Sequence, residues 1–205
     1  MTEIILASTS PRRGDLLASL GLVFAIVDPA VDENHFSGED PESYVVRVAR
    51  SKAEAVATAM TDQLIIAADT TVALDGDVVG KPLDRLDAAR ILRVLSGRTH
   101  TVFTGVALAL AGRMVSGVVA THVSFCQLSD AAIAWYVGTG EPDDKAGAYG
   151  MQGAGNVFVE HVDGSPSNVI GLPLALVRDL ATDLGIDLLQ LASSPGRTER
   201  PSFRS

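Results

Sequence analysis

Two arginines stand where a helix tolerates cations least. The segment Ser8-Thr9-Ser10-Pro11-Arg12-Arg13 follows the apolar run Ile4-Ile5-Leu6-Ala7 and opens a helical pattern that closes at Gly21. Ser10 reads as an N-cap and Pro11 as the first helical residue, so Arg12 and Arg13 fall in the first turn, beside the positive end of the helix dipole. Cations are disfavoured there unless an anion joins them. First-turn N–H groups, the hydroxyls of Ser8, Thr9 and Ser10, and two guanidiniums together suit a phosphate. For S-P-R-R in isolation, two solvated arginines on a surface turn would be the better reading; two further features raise the weight of the phosphate pocket.

Lys52 is the first of these. On a wheel of about 100° per residue, Val45, Val48, Ala49, Ala53, Val56 and Met60 share one arc, and Arg47, Arg50 and Glu54 lie opposite as solvated charges. Lys52 projects into the apolar arc, where an ammonium must snorkel out, pair with a carboxylate or meet a ligand anion. Beside a phosphate pocket, the ligand reading gains weight. The second is Asp69, which with Thr70 and Thr71 interrupts the apolar run Ala67 to Val72. A buried aspartate serves as an acceptor for backbone N–H groups, as a metal ligand or as a base. Glu33, in Val31-Asp32-Glu33, supplies a second carboxylate, and oxygen donors of this kind suit Mg²⁺ or Mn²⁺.

Alternating strand-like and helix-like patterns must position these groups, which makes the class α/β or α+β. Strands are expected at 4–7, 23–27, 64–74, 78–79, 99–111 and 114–127, with tight turns at Asp75-Gly76-Asp77 and Gly112. Helices are expected at 11–20, 41–60 with Asp40 as cap and Pro41 at the first position, 84–95, from the cap Ser129 to Val137, and 173–184. From 138 to 171 the chain is glycine-rich. Residues 1–190 read as one domain and 191–205, rich in Ser, Arg and Pro towards its end, as a flexible tail.

Composition narrows the function. The 205 residues are 47% hydrophobic and 20% charged, enough for a full core, and the net charge of −9 argues against a nucleic-acid or anionic-membrane partner. The basic residues therefore serve a local anion. A single cysteine, Cys126, excludes an intrachain disulfide framework and fits a reducing compartment. Neither a signal peptide nor a membrane span is expected. His35, His100, His122 and His161 have no zinc-like spacing. Gly76 to Pro82 is one residue short of a Walker A loop and has Pro82 where Ser or Thr is required, so Lys81 reads as a surface lysine or a point charge near phosphate. Gly147 to Gly155 lacks the dinucleotide pattern; its glycines suit close approach to a flat ligand, with Gln152 at a base edge, or else a mobile surface loop.

Taken in order, Ser8-Thr9-Ser10-Pro11-Arg12-Arg13, Glu33, Lys52, Ala68-Asp69-Thr70, Gly80-Lys81-Pro82, Ser96-Gly97-Arg98-Thr99-His100, Ala146 to Gly153 and Asn168-Val169-Ile170-Gly171-Leu172-Pro173 resemble the Maf family of nucleoside triphosphate pyrophosphatases. The resemblance covers roughly residues 3–190. It implies an inosine-triphosphatase-like α/β fold, with a curved mixed sheet flanked by helices and two lobes around a cleft, as a cytoplasmic homodimer. It further implies that Asp69 activates water, that Glu33 and Asp69 hold a divalent metal, and that Arg12, Arg13, Lys52 and Lys81 hold the triphosphate, with Ser8 and Ser10 at the same corner.

Substrate choice within the family falls on Arg12, Thr70 and Gln152, which here resemble the dTTP and UTP type. The sister type, acting on 7-methyl-GTP, carries Gln after the strand aspartate and Glu in place of Gln152. A neutral amide pairs with both the carbonyl and the N–H of a pyrimidine edge, whereas a glutamate attracts a cationic methylated guanine. Met151, where the family more often has Ile, and Pro166, in a loop that often holds an aromatic, depart from the pattern. Two other classes compete. One is a nucleotide-binding regulator of cell division without turnover, against which Asp69, Glu33 and Lys52 together argue; the other is a transferase needing an acceptor.

Overall fold

Runs rich in Val, Ile and Thr build the three long strands, as β propensity and burial require. The computed structural model describes residues 2–193. Strands β1 (Ile4–Leu6), β2 (Ala25–Ile26), β3 (Leu64–Leu74), β4 (Asp77–Val79), β5 (Thr99–Leu110), β6 (Arg113–Phe125) and β7 (Val159–Asp163) form one mixed sheet. Its order is β2-β1-β3-β5-β6-β7, with β4 pairing β3 off this path. β1 runs parallel to β2 and β3, and the remaining pairs are antiparallel. Asp75 and Gly76 turn the β3–β4 hairpin with φ of 54° and 92°, the left-handed pair that Asp-Gly supplies.

Helices α1 (Pro11–Ser19), α2 (Pro41–Ala57), α3 (Arg85–Leu95), α4 (Asp130–Gly138), α5 (Pro166–Ile170), α6 (Leu174–Asp183) and α7 (Leu188–Ser193) cover the sheet. Asp40, Asp84 and Ser129 cap α2, α3 and α4, each accepting from the backbone N–H three residues on. Strand β7, α5 and three 3₁₀ turns occupy the stretch read only as glycine-rich. The second strand is two residues, against the five expected, and α2 stops three residues short of Met60. The tail expected from 191 falls outside the described residues from 194 onward, and 191–193 complete α7. Among the described residues no helix is long and apolar enough to cross a membrane.

Three apolar clusters divide the sheet lengthwise. At one end of β3 and β5, Ile5, Ala49, Ala53, Ile65, Ala67 and Ala107 pack beneath α2, while Ile66, Ala68, Val106 and Leu108 pack beneath α6 on the opposite face. At the other end, Val72, Val102 and Phe125 pack with α3 and α4. The two lobes are therefore the two ends of shared strands. Between them, β3 has β1 beside it up to Ile66 and β4 beside it from Val72, so its edge around 68–71 lies between these two neighbours.

Gly105 sets how close α2 comes. It pairs directly with Asp69, so both project towards α2. A Cβ at 105 would overlap the Val45 carbonyl and lie 2.6 Å from the Val46 nitrogen, backbone atoms that cannot rotate away. Gly105→Ala is accordingly expected to lower stability by about 3 kcal/mol, roughly 10 °C in Tm, measurable by thermal melts.

His100 is buried against Phe125 and Tyr149, its Nε2 paired with the Tyr149 hydroxyl at 2.8 Å. Burial pushes its pKa from 6.5 down to about 4. Between those two pH values the unfolded chain binds a proton at this position that the folded protein does not, so stability falls as the pH falls through the window. The loss amounts to on the order of 3 kcal/mol by pH 4. Thermal melts across this window should slope less for His100→Gln than for the wild type.

Candidate active site

The turn from β1 into α1 brings Ser8, buried at 4% exposure, beneath the first helical turn. Its Oγ accepts from the Ser10 N–H at 3.2 Å and from Arg13 Nη1 at 3.1 Å. Ser10 stands at the N-cap position, yet its side chain does not cap the helix, contrary to the sequence reading.

Arg13 is 9% exposed and brackets three elements. Its Nε donates to the Gly171 carbonyl at 2.8 Å, Nη1 to Ser8, and Nη2 to Thr70 Oγ1 at 3.1 Å. Burial lowers its pKa, and the charges of Asp69 and Glu33 oppose that shift. An arginine stays cationic regardless, so it brings positive charge to the site with three of its five N–H groups already committed. Thr104 Oγ1 donates to the Asn168 carbonyl at 3.0 Å. In the 2.9 Å contact between the two threonines it must then accept from Thr70, which fixes the order Arg13 to Thr70 to Thr104 to Asn168. The Thr70 hydroxyl thus holds Arg13 in place.

Successive residues of β3 face opposite ways, and Asp69 points to the α2 side. There Lys52, 3% exposed, places its Nζ 2.8 Å from Asp69 Oδ1 and 2.7 Å from Glu33 Oε1. Of the three fates open to an inward lysine, the structure shows carboxylate pairing, with both acids at once. Asp69 is 6% exposed, whereas nearly half of the Glu33 side chain is open to solvent.

The loop carrying Glu33 is held by residues the sequence reading passed over. Tyr44 donates its hydroxyl to the Glu33 carbonyl at 2.9 Å, and burial, followed by Asp69 and Glu33, raises its pKa to about 12. Arg47, read as a solvated charge, makes a bidentate pair with Glu39 at 2.6 and 2.8 Å and donates to the Asn34 carbonyl at 2.9 Å. Its guanidinium also lies 4.0 Å from the Phe36 ring centroid. Tyr44 is eight residues before Lys52 on α2, near enough on the wheel to have been linked to it; Arg47 and Glu39 carried no such signal.

A cleft of about 550 Å³ opens at the 68–71 edge of β3. It is lined by every residue singled out for the site: Ser8, Ser10, Arg12 and Arg13 from the first corner, Glu33, Lys52, Asp69 and Thr70 from the acid side, and Lys81 and Gln152 across from them. Arg12 Nη1 is 3.4 Å from Asp144 Oδ2, a partly exposed pair. The glycines around Gln152 have a reason within the protein itself. A Cβ at Gly150 would meet Lys145 Cε at 2.9 Å, one at Gly153 would overlap the Glu141 carboxylate, and one at Gly155 would meet the Tyr136 hydroxyl at 2.6 Å. Close packing against the protein itself demands them.

Among the described residues no group of three or more His, Cys, Asp and Glu side chains converges as a metal cage. Glu33 and Asp69 offer two carboxylates reached through one lysine ammonium. That donor set fits Mg²⁺ or Mn²⁺, which binds through one or two carboxylates and completes its shell with substrate phosphates and water.

Two carboxylates with the chemistry to hold a hard cation or accept a proton, set in one cleft with cations able to neutralise phosphate oxygens, form the kind of site that suits hydrolysis of an acid anhydride. The family model described as Maf-like protein matches residues 3–184, and the chain belongs to that family. Among its relatives, a protein named dTTP/UTP pyrophosphatase from Anaeromyxobacter dehalogenans is 52% identical over 190 residues, covering 91% of this chain and 96% of the relative. Proteins of the same name from Shewanella oneidensis and Moorella thermoacetica are 49% and 48% identical over 90% and 92% of this chain, and 99% and 98% of their own. Among solved structures, a HAM1 protein from Coxiella burnetii aligns with a TM-score of 0.43 at 17% identity, over 62% of this chain and 75% of that one.

Proposed function

We propose that this protein is a nucleoside triphosphate pyrophosphatase of the dTTP and UTP type, converting each triphosphate and water to the monophosphate and diphosphate. The observation that carries the reading is the Glu33–Lys52–Asp69 cluster, set in one cleft with Arg12, Arg13 and Lys81. Asp69 accepts the proton of the attacking water, and Lys52 keeps its carboxylate and that of Glu33 at fixed separation. Arg12, Arg13 and Lys81 offset the charge that grows on the α-phosphate oxygens and the leaving diphosphate. Ser8 and Ser10 complete the phosphate corner. Glu33 and Asp69 would hold Mg²⁺ or Mn²⁺, which supplies Lewis-acid stabilisation of phosphate charge when bound. Gln152 reads the pyrimidine edge, and Thr70 acts through Arg13. Family resemblance supports a cytoplasmic homodimer, and the continuous sheet supports residues 1–190 as one unit.

The test is release of monophosphate and diphosphate from a panel of triphosphates, including dTTP, UTP, pseudo-UTP, 5-methyl pyrimidine nucleotides, CTP and 7-methyl-GTP, with Mg²⁺ or Mn²⁺. Equal yields of both products, greatest for the thymine and uracil nucleotides, are expected. Activity centred on 7-methyl-GTP would overturn the role of Gln152. Tight binding without turnover would make the protein a nucleotide-responsive regulator, and nucleotide transfer to an added acceptor would make it a transferase.

A further inference from the structure

The segment that carries Gln152 is folded around one carboxylate. Glu141 Oε2 accepts from the Ala154 N–H at 2.8 Å, and Oε1 accepts from the Tyr136 hydroxyl at 2.9 Å and the Gly155 N–H at 3.3 Å. The Tyr136 hydroxyl accepts in turn from the Gly150 N–H at 3.1 Å. Lys145 Nζ donates to the Glu141 carbonyl at 2.5 Å, and its stem lies where Gly150 has no side chain. At its other end the segment is pinned by the Gly147 N–H on the Gly80 carbonyl at 3.1 Å, and a Cβ at Gly147 would meet Val72 Cγ2 at 2.8 Å. Between these anchors Tyr149 is buried, and Met151 and Gln152 face the cleft.

We infer that Glu141 is the positioning residue that fixes where Gln152 meets the base, so that discrimination between bases depends on a carboxylate that never touches substrate. This rests on the reading of Gln152 given above. A carboxylate satisfies three donors at once because it only accepts. Glutamine in its place keeps the shape but turns an NH₂ group towards at least one of those donors, leaving a hydrogen bond broken and the segment free to shift. A base-reading site is sensitive to displacements of this size, because an edge pairing misplaced by about 1 Å no longer separates a matched base from a mismatched one.

Uracil and cytosine differ at the edge a glutamine amide reads, so kcat/KM for UTP and for CTP is the measure. Glu141→Gln is expected to narrow the UTP-to-CTP ratio by about tenfold, with KM for UTP rising more than kcat falls. Tyr136→Phe, which removes one donor and keeps the ring, should shift the ratio the same way by a smaller factor and carries the test alone if Glu141→Gln does not fold. A merely structural role would lower Tm, and activity towards both nucleotides equally, leaving the ratio unchanged; that result in the folded variants overturns the inference. Gln152→Ala run alongside separates the two claims. If Gln152→Ala leaves the ratio unchanged, the reading of Gln152 falls and the inference falls with it; if Gln152→Ala narrows the ratio and Glu141→Gln does not, the reading of Gln152 stands and the inference alone falls. A wild type indifferent to the base overturns both.

Discussion

Asp69→Asn is expected to lower kcat for dTTP by roughly three orders of magnitude, within the range a general base contributes, while the protein stays folded. The argument is steric as much as chemical. Asparagine has the shape of aspartate, Asp69 is 6% exposed on a central strand, and the amide oxygen still accepts from Lys52 in the place of Oδ1. Lys52 also retains Glu33 at 2.7 Å, so the cluster keeps one carboxylate for its ammonium. What the substitution removes is the ability to take up the proton of water and one of the two anionic donors to a metal. Steady-state diphosphate release beside a thermal melt separates these effects. Activity within about tenfold of the wild type would remove Asp69 from the chemistry.

Lys52→Met should affect both stability and turnover. Methionine fills the space of the lysine stem beneath α2, but the Glu33 and Asp69 carboxylates lose the cation between them. Removing one member of a buried pair costs about 3–5 kcal/mol, and the exposure of Glu33 to solvent puts the expected loss near the lower end. Turnover is expected to fall by at least about a hundredfold, because the two acids then repel each other and their separation is no longer set. A specific consequence follows for metal. Mg²⁺ or Mn²⁺ without nucleotide should raise the Tm of Lys52→Met more than that of the wild type, since two carboxylates without their ammonium favour a divalent cation. Equal Tm increments in both proteins would contradict the pairing role assigned to Lys52.

Those residues were legible in the sequence for one physical reason: each breaks a pattern that burial enforces. A lysine on an apolar helical arc, an aspartate inside an apolar strand and two arginines at a helix N-terminus all need an explanation before any fold is known. The partners that steady them break no pattern. Arg47 lies on the polar side of α2, as a solvated charge would, and its pairing with Glu39 depends on the path of a loop. Glu141 follows a glycine in a turn-rich stretch, and only the folded segment shows why Gly150, Gly153 and Gly155 surround it. Gly105 carries no local signal, because what excludes a side chain there is backbone some sixty residues earlier in the chain. Strand β7 escaped notice because Val159 to Asp163 is short, largely exposed and pairs only at the edge of the sheet.

The acid–cation cluster in the cleft is assigned to water attack on the α-phosphorus, and the fate of the water oxygen tests that assignment most directly. Turnover of dTTP in H₂¹⁸O, with both products weighed by mass spectrometry, is expected to leave the label in the monophosphate and the diphosphate unlabelled. Label in the diphosphate, which requires attack at the β-phosphorus, or release of labelled orthophosphate would contradict the account.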